Sequence, residues 1–302
     1  MPSPRDASPR LQEALDSTVE GVNKTISRIL PETDLAESRL FDAMRYSVLN
    51  GGKRLRPFMV IHAASLFNVD PTRARRTAAA VELLHCYSLV HDDLPAMDDS
   101  DKRRGKATTH RKFDEATAIL SGDALLTLAF EVLSDRDTHP DPHVRIELVR
   151  KLAVASGGHG MVGGQMLDLI GEKEEFDLGT ISRMQRMKTG HLFAFACEAG
   201  AILGKADEPH KKALCNYAYD LGLAFQVTDD VLDVEADPED TGKPANQDEQ
   251  AGKSTFVSTM GKEQAKMRAE MLVHQAIRHL HIFGGRAEML KELAMYVLER
   301  RA

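Results

Sequence analysis

Apolar residues recur at spacings of three and four along most of the chain, a pattern typical of amphipathic helices, and no segment alternates like a strand. The breaks between the periodic segments are short. The predicted helices cover about residues 10–29, 35–49, 57–67, 74–93, 113–134, 144–157, 179–188, 190–203, 209–234, 254–278 and 286–300. The predicted breaks are Gly51-Gly52, Pro71, 98–110, Pro140 to Pro142, Gly157-Gly158, Gly163-Gly164, Gly171 and 236–252. We therefore predict a single all-α domain.

The composition agrees with packed helices and narrows the class of protein. The 302 residues include 13 Met, no Trp and only 5% aromatic residues, whereas sheets favour aromatic and β-branched side chains. A net charge of −7 gives no long-range attraction for nucleic acid. Three widely spaced cysteines argue against a disulfide framework. No apolar run approaches the ~18 residues needed to cross a bilayer, and the opening residues lack a signal-peptide stretch. We expect a cytoplasmic protein that binds neither nucleic acid nor membrane.

Two Asp-rich clusters are the most informative feature of the sequence. The first is Asp92-Asp93-Leu94-Pro95-Ala96-Met97-Asp98 and the second is Asp229-Asp230-Val231-Leu232-Asp233. Three carboxylates within one or two helical turns repel one another unless they share a cation. Carboxylate oxygens without Cys or His partners favour magnesium, with manganese as an alternative, and magnesium also binds phosphate oxygens. The clusters predict a metal site for a phosphate ester, and solvated helix ends are the alternative interpretation.

Helix geometry supports a shared site at the ends of two predicted helices. Asp229 and Asp233 lie on one helix face, where they can hold one cation together. Pro95 disfavours helical backbone at the residue before it, so the first helix should kink or end there. Asp98 can then fold back toward Asp92, and the two clusters could face each other across one cavity.

Basic residues occur in tight groups near the acidic clusters. Arg binds phosphate oxygens in a bidentate fashion and Lys supplies a mobile charge, so the mixture fits a diphosphate held from several sides. For each group alone, a solubilising surface is the alternative. The groups are Lys53-Arg54-Leu55-Arg56 after Gly51-Gly52, Arg103-Arg104-Gly105, Lys188-Thr189-Gly190, Lys243 and Lys253.

Two histidines near the first cluster allow different interpretations. His85 precedes Asp92 by seven residues, which places it on the same helix face about 10 Å deeper. It could bind a second diphosphate, or it could be hydrogen-bonded within a helical core. His91 forms an HD dipeptide with Asp92, which leaves a metal phosphohydrolase with His and Asp ligands as a rival hypothesis.

The motifs taken together resemble the trans-polyprenyl diphosphate synthases, most closely the bacterial farnesyl diphosphate branch. The resemblance runs in order from about residue 35 to the segment 296–301. It implies an all-α, single-domain antiparallel helical bundle around a deep central cavity, usually in a homodimer. Residues 31–302 would form the catalytic domain, preceded by a variable, partly disordered N-terminus and first helix over 1–30. The motifs are Gly51-Gly52-Lys53-Arg54-Leu55-Arg56-Pro57, the first Asp cluster, Arg103-Arg104-Gly105, Gly163-Gly164-Gln165, Lys188-Thr189-Gly190 and Phe225-Gln226-Val227-Thr228 with the second Asp cluster.

The same resemblance implies a role for each candidate site residue. Three Mg²⁺ ions on the diphosphate of an allylic substrate would be held by Asp92, Asp93, Asp98, Asp229, Asp230 and Asp233. The rest of the allylic diphosphate site would be Arg103, Lys188, Thr189, Gln226, Lys243 and Lys253. Isopentenyl diphosphate would be bound without metal by Lys53, Arg56, His85 and Arg104. The residues nearest the chemistry would be Lys188, Thr189 and Gln226. The loop 236–252 is a candidate lid, although Asn246 stands where relatives usually have Gly.

The implied reaction is Mg²⁺-assisted ionisation of dimethylallyl or geranyl diphosphate and head-to-tail 1'-4 condensation with isopentenyl diphosphate. Tyr87 and Ser88 lie beneath the first cluster, and a bulky aromatic residue at that place resembles the enzymes that make C15 farnesyl diphosphate. C10 and C20 products are alternatives within the family. A terpene cyclase and the HD phosphohydrolase are alternatives of another class, and a non-catalytic partner subunit would be expected to lack Asp residues in one cluster.

Overall fold

The computed structural model describes residues 7–235 and 255–300, and nearly all of these residues lie in helices. The predicted all-α class is confirmed. The described elements are α1 Pro9–Ile29, α2 Ser38–Leu49, α3 Leu55–Ser65, α4 Pro71–Asp92, β1 Lys102–Arg103, β2 Lys106–Ala107, α5 Thr109–Lys112, α6 Glu115–Ser134, α7 Pro142–Ser156, α8 Met161–Gly171, α9 Leu178–Gln185, a π-helical turn Arg186–Gly190, α10 His191–Leu203, α11 Glu208–Glu235, α12 Phe256–Met260, α13 Lys262–His279, a 3₁₀ segment Leu280–Ala287 and α14 Glu288–Glu299.

Side-chain caps explain where many of the helices begin. Asp70 accepts hydrogen bonds from the backbone N–H groups of Thr72 (2.9 Å) and Arg73 (3.2 Å), so donors at the start of α4 are satisfied. Pro71 lies in that first turn, where its missing N–H has no cost, so the predicted break at Pro71 is the start of a helix. Polar side chains also cap α1, α6, α7, α9 and α12, at Ser8, Asp114, Asp141, Asp177 and Thr255.

The predicted break at Gly163-Gly164 is wrong, because both glycines lie inside α8, whereas α8 ends at Gly171 as predicted. Glycine weakens an isolated helix, but tertiary packing can override that preference. Conversely, the single helix predicted for 254–278 is divided at Gly261, whose φ of +81° is incompatible with a continuing right-handed helix. The pattern therefore located most helices but misjudged Gly163, Gly164 and Gly261.

The expectation of no strands needs one small correction. Lys102 pairs with Ala107 and Arg103 with Lys106 in a two-stranded antiparallel ribbon. Arg104, with φ of +53°, and Gly105, with φ of +76°, form its turn. The ribbon follows the first Asp cluster and directs the two arginines beside it.

Helix α10 forms the centre of the core. Every residue from Leu192 to Leu203 except Glu198 is buried, as expected for a helix that is apolar on all sides. It packs against α3, α7 and α11, while α4 packs against α1, α3 and α6, and α11 against α13. Helix α10 thus joins the helix that carries Arg56 to the helix that carries the second Asp cluster.

Among the described residues, one helix is long and apolar enough to cross a membrane by length and composition alone, namely α6. Helix α6 contains no unbroken apolar run of that length, because Asp123 and several hydroxyl residues interrupt its sequence. Helix α6 packs against α2, α4 and α7 within the bundle. Within the bundle, 39% of its apolar window is buried.

Candidate active site

The first Asp cluster begins where α4 ends. The helix stops at Asp92, as the position of Pro95 predicts, and the chain then turns back on itself. The backbone N–H of Asp98 donates to the carbonyl oxygen of Asp92 at 2.8 Å, and that of Ser100 donates to Asp93 at 3.2 Å. The predicted return of Asp98 toward Asp92 is therefore present in the structure.

The carboxylate of Asp92 lies in an unfavourable environment for a negative charge. Burial is the main cause that raises its pKa to about 6. Lys188 lowers the pKa of Asp92, whereas the neighbouring Asp98 raises it. Arg103 lowers this pKa and Asp93 raises it, each by a smaller amount. The end of α4 therefore concentrates carboxylates in a partly buried position that a cation would stabilise.

Asp93 points away from solvent and is bound by Arg103. The guanidinium donates from Nε to both carboxylate oxygens, at 2.9 and 3.0 Å, and from Nη2 to Oδ1 at 2.7 Å. Asp93 is 3% exposed. The ribbon β1–β2 thus brings Arg103 to the first cluster through Asp93.

The second Asp cluster lies near the end of α11, and two of its members have clear partners. Asp230 is buried and accepts a hydrogen bond from the backbone N–H of Phe256 at 2.8 Å, which anchors the start of α12. Asp229 forms an ion pair with Arg300. Arg300 also donates to the carbonyl oxygen of Phe225 at 3.2 Å and stacks 3.8 Å from the centre of its ring. The sequence analysis missed Arg300, because periodicity cannot reveal a partner 71 residues away.

The structure does not gather the two clusters into one ready-made ligand set. Across residues 7–235 and 255–300, no three Asp, Glu, His or Cys side chains are close enough together to hold a metal ion. The acidic side chains at the ends of α4 and α11 remain hard oxygen donors of the kind that Mg²⁺ prefers. The chemistry of the donors fits the ion, and the roles of the individual Asp residues remain predictions.

The π-helical turn places two predicted site residues. Thr189 donates from Oγ1 to Gln226 Oε1 at 3.0 Å, which links the turn to α11. Lys188 donates from Nζ to Asp168 Oδ2 on α8 at 2.5 Å. A π-helical turn inserts one residue into a helix and often marks a functional site.

Glycine explains why α8 can approach this turn. A Cβ atom on Gly164 would lie 2.2 Å from the backbone nitrogen of Lys188, which is sterically impossible. Asp168 follows one helical turn later on the same face of α8 and so reaches the Lys188 ammonium. The sequence analysis identified Gly163-Gly164-Gln165 as a motif but missed Asp168, which its spacing of four from Gly164 could have indicated.

Basic residues from three elements meet beside α4. Arg56 lies in the first turn of α3, and its Nη1 lies 3.2 Å from Nε2 of His85. Since arginine only donates, His85 accepts through Nε2 and is the neutral tautomer protonated on Nδ1. Burial, followed by nearby Arg56 and Arg104, lowers the pKa of His85 well below its ordinary value. The structure therefore places His85 beside Arg56, one of the basic residues expected to share its ligand.

The remaining members of the basic group surround the turn at Gly51-Gly52. Arg104 donates to the carbonyl oxygen of Gly51, and its guanidinium lies where a Cβ on Gly52 would be. The ammonium of Lys53 lies 5.7 Å from the centre of the Tyr296 ring. Glycine at position 52 thus allows the guanidinium of Arg104 to lie directly on the backbone.

Comparison with known proteins decides the family. Residues 37–284 match the polyprenyl synthetase family model, over most of the chain. The chain belongs to the polyprenyl synthetase family. The resemblance inferred from the sequence motifs is confirmed.

Individual relatives are similar over nearly their whole length. The chain is 43% identical to farnesyl diphosphate synthase of Escherichia coli over 298 residues, covering 95% of this chain and 98% of the relative. It is 39% identical to the Geobacillus stearothermophilus farnesyl diphosphate synthase, covering 89% and 91%. The crystal structure of an FPP/GFPP synthase from Zymomonas mobilis has 46% identity and a TM-score of 0.87, covering 96% and 99%.

Within this polyprenyl synthetase, Tyr87 and Ser88 lie on α4 below the first cluster. Tyr87 is 7% exposed, and its ring meets that of His91 edge to face, with ring centres 5.6 Å apart. Ser88 donates to the carbonyl oxygen of His85 at 2.8 Å. Their proposed influence on product length remains a prediction.

His91 is directed toward α6. Its Nε2 lies 3.1 Å from the carbonyl oxygen of Ile119 and 3.9 Å from Asp123. The two residues of the HD dipeptide in this polyprenyl synthetase therefore lie in different environments. His91 contacts α6, whereas Asp92 lies at the end of α4. This arrangement does not favour the phosphohydrolase hypothesis.

Four elements of the sequence prediction lie outside the described residues. They are Lys243, Lys253, Asn246 and the candidate lid 236–252, and their proposed roles remain predictions.

Proposed function

We propose that this polyprenyl synthetase condenses isopentenyl diphosphate with dimethylallyl or geranyl diphosphate and forms the C15 product farnesyl diphosphate. The observation that carries the proposal is that two unlike groups of side chains lie along α4. Carboxylates gather at its end, and basic side chains gather around Arg56 and His85. Relatives named farnesyl diphosphate synthase, at about 40% identity over nearly the whole chain, support the same activity.

The carboxylate group is the proposed metal site. We expect three Mg²⁺ ions, which Mn²⁺ could replace, with Asp92, Asp98, Asp229 and Asp233 as ligands. Bound Mg²⁺ would neutralise charge on the allylic diphosphate and so make it a better leaving group. Asp93 and Asp230 would assist by holding Arg103 and the start of α12, respectively, which are the contacts they make in the structure.

The basic group is the proposed isopentenyl diphosphate site. Arg56 is half-buried, and its Nε is buried without a hydrogen-bond partner among the described residues. A buried, unsatisfied donor is costly, and a phosphate oxygen would satisfy it. Lys53, Arg104 and neutral His85 surround the same region. The excess of positive charge there would hold a diphosphate without metal.

The chemistry follows from this division. Arg103 and Lys188 would bind the allylic diphosphate, so the carbon–oxygen bond breaks and its electron pair leaves with the diphosphate. The double bond of isopentenyl diphosphate then supplies the electrons for the new carbon–carbon bond, and the released diphosphate takes the proton that is lost. Thr189 and Gln226 would turn oxygen dipoles toward the allylic cation without trapping it. Lys188 would have to share its ammonium between Asp168 and the substrate.

An apolar surface supports a homodimer. Ile119 and Leu120 on α6, Ile146 on α7 and Met166 on α8 are between 44% and 65% exposed. A second copy of the chain is the partner expected from the family, and these side chains would be candidates for its interface. We expect the dimer to act in the cytoplasm, and sedimentation would measure its mass.

The deciding experiment is incubation of the purified protein with Mg²⁺, isopentenyl diphosphate and geranyl diphosphate, followed by dephosphorylation and mass analysis of the alcohols. Farnesol is the expected product. Geranylgeraniol would keep the reaction but contradict the C15 assignment. Release of diphosphate without an elongated alcohol would favour a hydrolase or a terpene cyclase and overturn the proposal.

A further inference from the structure

The turn that carries Lys53 and leads to Arg56 is anchored by Arg54, which lies between them in the sequence. Arg54 has a left-handed backbone with φ of +52°, and it lies two residues after Gly52, which like Gly51 also has a positive φ. Left-handed backbone is unfavourable for a residue with a Cβ atom, so other contacts must stabilise it. The Arg54 side chain is completely buried, unlike most arginines.

The Arg54 guanidinium joins three helices. It forms an ion pair with Glu82 on α4 and donates to the carbonyl oxygen of Val48 on α2. It also donates to Asn23 Oδ1 on α1, from Nε at 3.2 Å and from Nη2 at 2.9 Å. These contacts fix the turn relative to α4, because a planar guanidinium that meets several acceptors has a single orientation.

The same ion pair sets the distance between the turn and His85. Glu82 lies one helical turn before His85 on the rigid α4, and Arg54 lies two residues before Arg56. Displacing Arg54 from Glu82 would therefore separate Arg56 from His85, whose nitrogen atoms are 3.2 Å apart.

Glu82 also balances charge in this region. Burial is the main cause that lowers the pKa of Arg56 to about 10, and Glu82 is the strongest of the charges that oppose this shift. Arg104 acts in the opposite sense, because it repels Arg56. Without the Glu82 carboxylate, the buried Arg54 and the half-buried Arg56 would repel each other, and the exposed Arg104 would add to the repulsion.

We propose that Arg54 and Glu82 are positioning residues for the diphosphate of isopentenyl diphosphate, which neither of them touches. The inference rests on the proposed function of the basic group. The pair keeps Lys53, Arg56 and His85 arranged before the substrate arrives, so the substrate does not have to order them. Its loss should weaken binding of isopentenyl diphosphate and leave the allylic substrate unaffected.

The test is Glu82→Gln, which keeps the shape and the acceptor oxygen but removes the charge. We expect the KM for isopentenyl diphosphate to rise about tenfold, while the KM for geranyl diphosphate and kcat change by less than about threefold. The matched control is Glu198→Gln, which removes the charge from a part-buried ion pair between Lys151 on α7 and Glu198 on α10. The control should leave both KM values unchanged.

Direct binding gives a readout independent of turnover. Calorimetric titration of isopentenyl diphosphate in the presence of a metal chelator should show about tenfold weaker binding to Glu82→Gln than to the unmodified protein. Arg54→Lys keeps the positive charge but not the fork of donors, and it should weaken binding in the same way. A folded Glu82→Gln protein with unchanged affinity and unchanged KM would overturn the inference.

Two outcomes separate this inference from the proposed function. If the unmodified protein forms no elongated alcohol, the proposed function fails whatever the variant does. If Glu82→Gln does not fold, Asn23→Ala takes its place, because it removes one acceptor of Arg54 and leaves both charges. We expect that variant to raise the KM for isopentenyl diphosphate about threefold, and an unchanged KM would overturn the positioning role.

Discussion

Burial decides the charge of individual histidines in this protein. His85 is held neutral beside two arginines, and the neutral ring accepts a hydrogen bond from Arg56. His62 on α3 is a simpler case, because its ring packs against Phe58 with centres 4.0 Å apart. Burial lowers the pKa of His62 to about 4. The effect of burial on a histidine pKa can therefore be measured at His62, which is not one of the candidate site residues.

The low pKa of His62 predicts that acid destabilises the fold. The unfolded chain binds a proton at this ring near pH 6.5, whereas the folded protein binds it only near pH 4. Stability is therefore lost as the pH falls from about 6.5 to about 4, because the unfolded state binds more protons there. Urea unfolding of His62→Phe should show a pH dependence in this window that is weaker by about 1–2 kcal/mol, after allowance for the solvent-exposed part of the ring. An identical pH dependence in the variant would contradict the prediction.

Single carboxylates at the ends of α4 and α11 should be essential for turnover. Asp92→Asn and Asp229→Asn remove a charge and keep the volume, so we expect kcat to fall by about 10²-fold or more while the circular dichroism spectrum persists. Asp101→Asn is the control, because Asp101 lies in the same segment and its side chain is 72% exposed. Retention of activity in both site variants would remove the metal hypothesis.

At the scale of elements, the contact between α8 and the π-helical turn connects packing to chemistry. Gly164 allows the two backbones to meet, and Asp168 reaches Lys188 from the next turn of α8. The sequence pattern could not distinguish a glycine that ends a helix from one that permits close packing. Neither kind of glycine has a side chain, and the two differ only in which residues pack against them in the folded protein.

Gly164→Ala should therefore damage both stability and catalysis. The added Cβ would meet backbone rather than a flexible side chain, so α8 would have to move away from the turn. We expect a loss of roughly 1–3 kcal/mol in unfolding free energy and a lower kcat, because Lys188 and Asp168 would separate. Gly158→Ala is the matched control, since a Cβ there meets nothing within 4 Å. Equal thermal unfolding and equal kcat for the two variants would contradict the close-packing argument.

At the scale of the whole molecule, the proposed function requires room for the growing chain below the first Asp cluster. Tyr87 occupies the face of α4 that the sequence analysis assigned to the floor of this space. Tyr87→Ala should lengthen the product beyond C15, which mass analysis of the dephosphorylated alcohols would detect. Tyr87→Phe keeps the ring and should leave the C15 product dominant. Farnesol as the main product of both variants would show that Tyr87 does not set the length.

The sequence predicted the helical class, the family and the return of the chain after Pro95, because these depend on periodicity, local backbone preferences and motif order. It did not predict which carboxylates face partners within the fold. Asp93 and Asp230 looked equivalent to their neighbours, yet they bind Arg103 and the N–H of Phe256. Such pairings depend on the direction of a side chain and on residues distant in sequence, which no local pattern contains.

The π-helical turn at Arg186–Gly190 has a consequence for comparing chains of this family. It contains one residue more than a regular helix would need, so the helix presents Lys188 to α8 before the turn closes and Gly190 to α11 after it. Deleting one residue here would rotate α9 by about 100° relative to α10. A related chain with a one-residue gap at this place would be expected to keep its helix and lose the pairing of Lys188 with Asp168. A gap of a single column in an alignment would then mark a change of chemistry that residue identity would not reveal.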